Sequence, residues 1–422
     1  MDSFFLVVKL IYIYGIVAYV LFRKSDFCVM YLPVIFFTEK VVSDVSPAFL
    51  YYGVVCLLIL VQILKNPAFF RNNIWAVLLI VYFLMLLNRS HDLVLIRPYV
   101  FSVSWFFISV PLIASVYKSH PAEEVYQELA EATLLILILF ILNSMMSTVH
   151  HFAPVEMYGI KSGILYGNLY AAAFNTLPLA IFVVLNKGIN EKNLIYLGVG
   201  IVAFFVVLLS LRRTVMSLSA LAILINLMTM LTREKAKILL IAIAVFGAIG
   251  YFIYTETDFM SMLKQRVELR DLNDRDLAEE KRFLEYDLIY TDMFVYRAYS
   301  PWTGYDLFNS AGNYGNGVLG DRSLHGDLTN IAHSSGLIGL GLYLLMMGTA
   351  FLKSFRASTT YQERLIILFC CATFLAYTGS GRYTEGAASI LQMCVLLLPL
   401  SKQEEVPEEE EEPYLFKQPE IV

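Results

Sequence analysis

Charge is what this chain has least of. Asp, Glu, Lys and Arg make up 16% of its 422 residues, against about a quarter in ordinary soluble domains. Together with 58% apolar residues and a mean hydropathy of +0.64, that deficit excludes a string of water-soluble cores. No Lys/Arg cluster is large enough to neutralise a run of phosphates, and the net charge is −5, so no nucleic-acid partner is expected. Cysteine is scarce. Cys28, Cys56, Cys370, Cys371 and Cys394 all fall in apolar runs without CxxC or Cys/His spacing, so they read as small hydrophobes, not as disulfides or metal ligands. No small-residue cleavage site follows the apolar run 4–22, which ends at Arg23-Lys24. That run reads as a retained span and not a signal peptide.

What the chain does have is apolar runs of about 15–22 residues, the length a helix needs to cross a bilayer. They fall near 4–22, 48–64, 74–87, 99–117, 132–147, 164–185, 194–211, 214–231, 237–254, 331–352, 365–378 and 386–400. A lone segment in hydrocarbon must satisfy its own backbone, so each is expected to be helical. The expected fold is all-α, a polytopic bundle of about twelve spans. A thirteenth run, 27–37, is short and holds Pro33; it reads as a re-entrant or interfacial piece. The chain then divides into an N-terminal transmembrane bundle (1–254), a cap (255–330), C-terminal transmembrane helices (331–400) and an acidic tail (401–422).

The cap is far longer and more charged than any other connection. Leu277, Leu284, Leu288 and Phe294 recur at helix-compatible spacing, so an amphipathic helix between Asp274 and Pro301 is expected to lie against the bundle. Asn313-Tyr-Gly-Asn-Gly317 reads as a turn. More of the basic residues in short loops lie on the side opposite the cap, which places the cap outside the cytoplasm and leaves the side of the N-terminus open. The tail, with Glu404, Glu405 and 408–412 all glutamate, reads as disordered and cytoplasmic.

Three groups of residues stand out chemically. Arg212 and Arg213 occupy a very short break between two spans, where a charge needs an anion or solvent. Arg282 stands early in the cap helix, with Arg297 as a further cation. Paired guanidiniums match a diphosphate, although Arg282 could equally pair with Glu279 or Glu285. His325 lies where the cap returns to the membrane, eleven residues before Gly336-Leu-Ile-Gly339. Histidine can accept a proton near neutral pH, and His150, His151 and His333 compete for that role. Ser323, His325 and Asp327 alternate, but alternation alone is no hydrolase triad. Tyr305, Trp302 and Tyr314 are candidates either for stacking on sugars or for an interfacial aromatic belt.

In this order the residues resemble the O-antigen ligase and O-antigen polymerase superfamily. The run His325 to Gly339 is similar to its C-terminal signature, and Ser300-Pro-Trp-Thr-Gly-Tyr305 to the Pro-x-x-Gly that precedes the histidine. Ser210-Leu-Arg-Arg-Thr214 resembles a Ser-Arg element, and Tyr166-Gly-Asn-Leu-Tyr-Ala-Ala172 an Asn-containing helix start. Gly326 stands where members often have Asn, and the doubled arginine leaves the equivalent position open, with Arg213 favoured.

The resemblance implies an integral enzyme of the bacterial inner membrane, acting on the extracytoplasmic face. It would transfer a glycan from a polyprenyl (undecaprenyl) diphosphate carrier to an acceptor hydroxyl, with inversion and without metal or cofactor. His325, Arg213 and Arg282 would be catalytic; Arg212, Asn168, Arg297, Tyr305 and Asp327 would bind substrate. The partners implied are the lipid-linked donor, a glycan or lipid-linked acceptor and membrane lipids, with a chain-length regulator left open. A polymerase of O-antigen or capsule is favoured over a ligase acting on lipid A-core. From another class, a lipid-linked oligosaccharide transporter or flippase would show an inverted repeat, and none is evident.

Overall fold

The computed structural model describes residues 7–8, 10–41, 48–150, 154–157, 160–166, 173–210, 212–229, 281–381 and 383–401, with a few isolated positions in between. The expected span 237–254, apart from four isolated positions, and the acidic tail after Ser401 lie outside the described residues.

The described chain is a helical bundle with one short antiparallel hairpin. In chain order the helices are α1 (Ile16–Arg23), α2 (Cys28–Val41), α3 (Ala48–Lys65), α4 (Ile74–Leu87), α5 (Leu93–Ser119) and α6 (Ala122–Val149). The hairpin is β1 (Pro154–Met157) and β2 (Ile160–Tyr166). Then follow α7 (Leu177–Asn190), α8 (Leu194–Leu209), α9 (Arg213–Thr229), α10 (Lys281–Tyr290), α11 (Asp327–Ala357), α12 (Tyr361–Ser380) and α13 (Gly386–Leu396).

Four of them, α5, α6, α11 and α12, are long and apolar enough to cross a membrane, and the bundle holds several shorter apolar helices. Leu57, Leu60, Leu64, Leu78, Val81, Leu84 and Met85 are exposed on α3 and α4. Apolar surface of that amount favours lipid over water and four helices reach bilayer length, so the molecule is a membrane-associated helical protein.

Local sequence sets the helix ends. Asp92 accepts the N–H groups of Val94 and Leu95 at 3.0 Å to start α5, and Asn193 accepts that of Ile195 at 3.0 Å to start α8. Thr360 and Glu363 form a reciprocal capping box at α12. Each satisfies donors that a helix start leaves open. Gly381, at φ 72°, ends α12 in the left-handed region, where a side chain would be strained.

Two expectations need correction. The run 27–37 is not a separate short piece: from Cys28 on it lies within α2, which passes through Pro33, and residues 27–38 are all buried. Its uniform apolarity reflects burial on every side, which short length alone does not distinguish from an interfacial position. The run 164–185 is not one span either, because β2 ends at Tyr166, a 3₁₀ turn covers Ala173–Thr176, and α7 starts only at Leu177.

The two ends of the bundle differ. At one, lysines knit helix termini: Lys24 to Glu128, Lys65 to Asp26 at 2.8 Å, Lys118 to Asn72 at 2.9 Å, and Lys353 to the Asn72 carbonyl. At the other, α10 and the loop 296–326 rest on the ends of α4, α11 and α12.

Candidate functional site at the capped end

The site begins with a break in a helix. At Gly336, φ 67° and ψ −169° interrupt α11, freeing backbone groups that hydrocarbon could not satisfy. The loop after Ser300 fills the gap. Leu337 N–H donates to the Pro301 carbonyl at 2.8 Å, and Tyr305 N–H to the His333 carbonyl at 2.7 Å. The Tyr82 hydroxyl donates to the Ser335 carbonyl at 2.8 Å. A Cβ on Gly336 would overlap the Trp302 backbone, and one on Gly304 would crowd the His333 carbonyl. The two glycine-bearing motifs picked out in the sequence, 300–305 and 336–339, therefore meet as the halves of a joint that locks the cap into α11.

Beside that joint lies a charged constellation. α10 presents Glu285, Ile289 and, beyond its end, Met293 to the protein, with Leu284 and Leu288 half-buried. The buried stripe is rotated from the expected one: Phe294 is exposed, because the chain from Thr291 to Val295 widens into a π-turn.

The Glu285 side chain is 0% exposed. Its Oε1 accepts Arg322 Nη2 at 3.1 Å, and its Oε2 accepts the backbone N–H of His325 at 2.9 Å and of Gly326 at 3.2 Å. Arg322 Nε in turn donates to His325 Nδ1 at 3.1 Å. Burial by itself would raise the Glu285 carboxyl; the hydrogen bonds around it, those from the N–H groups of His325 and Gly326 among them, and the charge of Arg322 outweigh that and hold it below the ordinary value. Arg322 and Glu285 were not among the residues expected to form the site. Arg322 had a signal, three residues before the histidine, but its partner lies 37 positions away.

The expected residues fall as follows. Arg282 does not pair with Glu285; it is exposed, and its Nη1 donates to the Gly379 carbonyl at the end of α12, 3.1 Å away. Two residues on, a Cβ at Gly381 would overlap the His325 carbonyl oxygen, so Arg282 and His325 both approach the terminus of α12. Asp327, in the first turn of α11, is buried and accepts the Tyr383 N–H at 3.1 Å.

Arg213 opens α9 and is exposed. The Arg212 guanidinium lies over the Phe174 ring, 4.9 Å from its centre. The next residue, Asn175, receives the Tyr377 hydroxyl on its carbonyl, which carries the connection from the arginine pair back to α12. Arg297, at φ 52°, ends the α10 segment and is exposed. Tyr305 stacks obliquely on His333, ring centres 5.4 Å apart. Trp302 is exposed, whereas Tyr314 is buried and unavailable to a sugar. Asn168 lies outside the described residues.

Nearby, Asp306 accepts from Asn309 at 3.1 Å and from the backbone of His91 at 3.4 Å. Burial would raise its carboxyl, but hydrogen bonds from Asn309, Ser90 and His91 hold it low, tying the loop to the end of α4. Among the described residues no three His, Cys, Asp or Glu side chains gather in a metal-binding arrangement. All five cysteines are free thiols.

No family model matches the chain, and no curated protein matches it. What remains is the arrangement itself: Arg212 and Arg213 at the start of α9, Arg282 at the end of α12, and His325 held by Arg322, all at the capped end. Guanidiniums of this kind pair with anions, and His325 adds an imidazole at the same end.

Proposed function

We propose that the protein is a membrane glycosyltransferase. It takes a glycan from a polyprenyl diphosphate carrier and joins it to a sugar hydroxyl on an acceptor, at the extracytoplasmic face of a bacterial inner membrane. The observation that carries this reading is the route of contacts from Arg212 through Phe174, Asn175 and Tyr377 to Gly379 and Gly381, where Arg282 and His325 arrive. The leaving group is a diphosphate, so the charge that grows in the transition state is what the guanidiniums stabilise, most strongly where water is excluded.

In this reading about twelve or thirteen apolar segments span the bilayer, counting the shorter helices with the long ones. The lysine-rich end faces the cytoplasm and the cap faces out. The favoured product is a surface polysaccharide grown by polymerisation, with transfer of a finished glycan to lipid A-core as the second outcome. The break in α11 is a feature shared with transporters. Here, however, the chain's own loop occupies it, with Leu337 and Ile338 donating to the carbonyls of Pro301 and Trp302.

Deletion of the gene and inspection of surface glycan on a gel tests the proposal. Single repeat units on core indicate a polymerase; bare core with undiminished lipid-linked polymer indicates a ligase. Replacement His325→Ala is expected to reproduce the deletion at normal protein level. Normal glycan from that variant would sink the assignment of His325.

A further inference from the structure

We propose that Glu285 and Arg322 are positioning residues that hold His325 as a neutral imidazole with its proton on Nε2. The ring then meets substrate as a hydrogen-bond donor and not as a base. This rests on the glycosyl-transfer reading and specifies how one group of that site acts.

Two atoms compete for His325 Nδ1. Arg322 Nε lies 3.1 Å away, and Glu285 Oε1 lies 3.5 Å away. A guanidinium does not give up its proton in a protein, so Nε–H points at Nδ1 and requires a lone pair there. A proton on Nδ1 would set two N–H groups against each other. The carboxylate does not compel that proton either, because Oε1 lies 3.5 Å from Nδ1, farther than the 3.1 Å of the Arg322 donor, and makes no hydrogen bond to it. Nδ1 is therefore the acceptor, and the neutral ring carries its hydrogen on Nε2.

The surroundings keep it so. Glu285 is 0% exposed and Arg322 24%, while the His325 side chain is 43% exposed. The supporting side of the ring is fixed inside the protein, and the Nε2 edge is the one left for a ligand. Glu285 also binds the backbone of the residue whose ring it orients through Arg322, and Gly381 closes against that residue's carbonyl. Backbone and ring are both constrained, which is how a supporting shell fixes a tautomer.

A donor suits the chemistry. The acceptor hydroxyl oxygen forms its bond to the anomeric carbon, and the carbon–oxygen bond to phosphate breaks with its electron pair remaining on the diphosphate. Nε2–H and the guanidiniums hydrogen-bond that growing charge. The hydroxyl proton passes to water, so no protein base is required in this step.

The test is the tautomer itself, read by nitrogen NMR of histidine-labelled full-length protein in lipid nanodiscs, with His325→Gln identifying the His325 signals. The expected result is an unprotonated Nδ1 and a protonated Nε2, with the two forms mixing in Arg322→Lys. A proton on Nδ1 in the wild type overturns the proposal.

Transfer from a polyprenyl-diphosphate oligosaccharide supplies a second readout. His325→Gln places an amide N–H near the ε position and is expected to stay within about tenfold of wild type, whereas His325→Asn falls by about a hundredfold or more. Equal loss in both overturns the donor role. Because the spectrum needs no reaction, wild-type protein that transfers nothing but shows the Nε2–H form overturns the glycosyl-transfer reading and supports the placement of the proton.

Discussion

Glu285 is the residue on which the capped end turns. Its carboxylate is buried against one guanidinium and two backbone N–H groups. Removing the charge from such a buried pair typically costs about 3–5 kcal/mol, because the partner is left uncompensated. Glu285→Gln is thus expected to melt well below the wild type at neutral pH. Since the folded-state value is depressed below 4.5, the contribution is fully present above that pH and is lost as pH falls through the folded value. Thermal melts of detergent-purified protein between pH 3 and 7 should show a loss below about 4.5 in the wild type and a smaller one in the variant; identical profiles would contradict the role.

At the level of elements, the joint between the cap and α11 is the feature no helix count would reveal. The chain leaves the π-turn after α10, inserts Pro301–Tyr305 into the break at Gly336, and passes through Arg322 and His325 before entering α11. Gly336 sits at φ 67° with the Trp302 backbone where a Cβ would go. Gly336→Ala faces both left-handed strain and overlap with backbone that cannot move aside. Its yield of folded protein is expected to drop severalfold, measured by monodisperse recovery in detergent. Normal recovery with unchanged protease sensitivity of the cap would show that the joint is dispensable. Helical periodicity in α10 was legible from the sequence, but the buried face was not: the turn at 291–295 adds a residue to the period and moves Phe294 outward.

For the whole molecule, sidedness is the testable property. Lys118 and Lys353 meet Asn72 at one end, and Arg297 belongs to the cap at the other. With the native thiols replaced by serine, Arg297→Cys is expected to react with a membrane-impermeant thiol reagent in spheroplasts. Lys118→Cys should react only after permeabilisation. The reverse pattern would put the cap in the cytoplasm and remove the basis for an extracytoplasmic transfer reaction.

Composition and spacing by themselves settled that this chain is helical and seeks a membrane, because 58% apolar residues in runs of bilayer length leave the backbone no other way to bury its polar groups. They also singled out His325, Arg282 and the arginine pair as charges in costly places. Tertiary packing alone decided what each of them meets. A sequence puts Glu285 three residues from Arg282, within easy helical reach, yet the bundle gives that carboxylate to Arg322, 37 positions on, and sends Arg282 to the end of α12. Local periodicity fixes which face a residue occupies; the partner across that face arrives from a distant segment, and only the packing of the two surfaces specifies it.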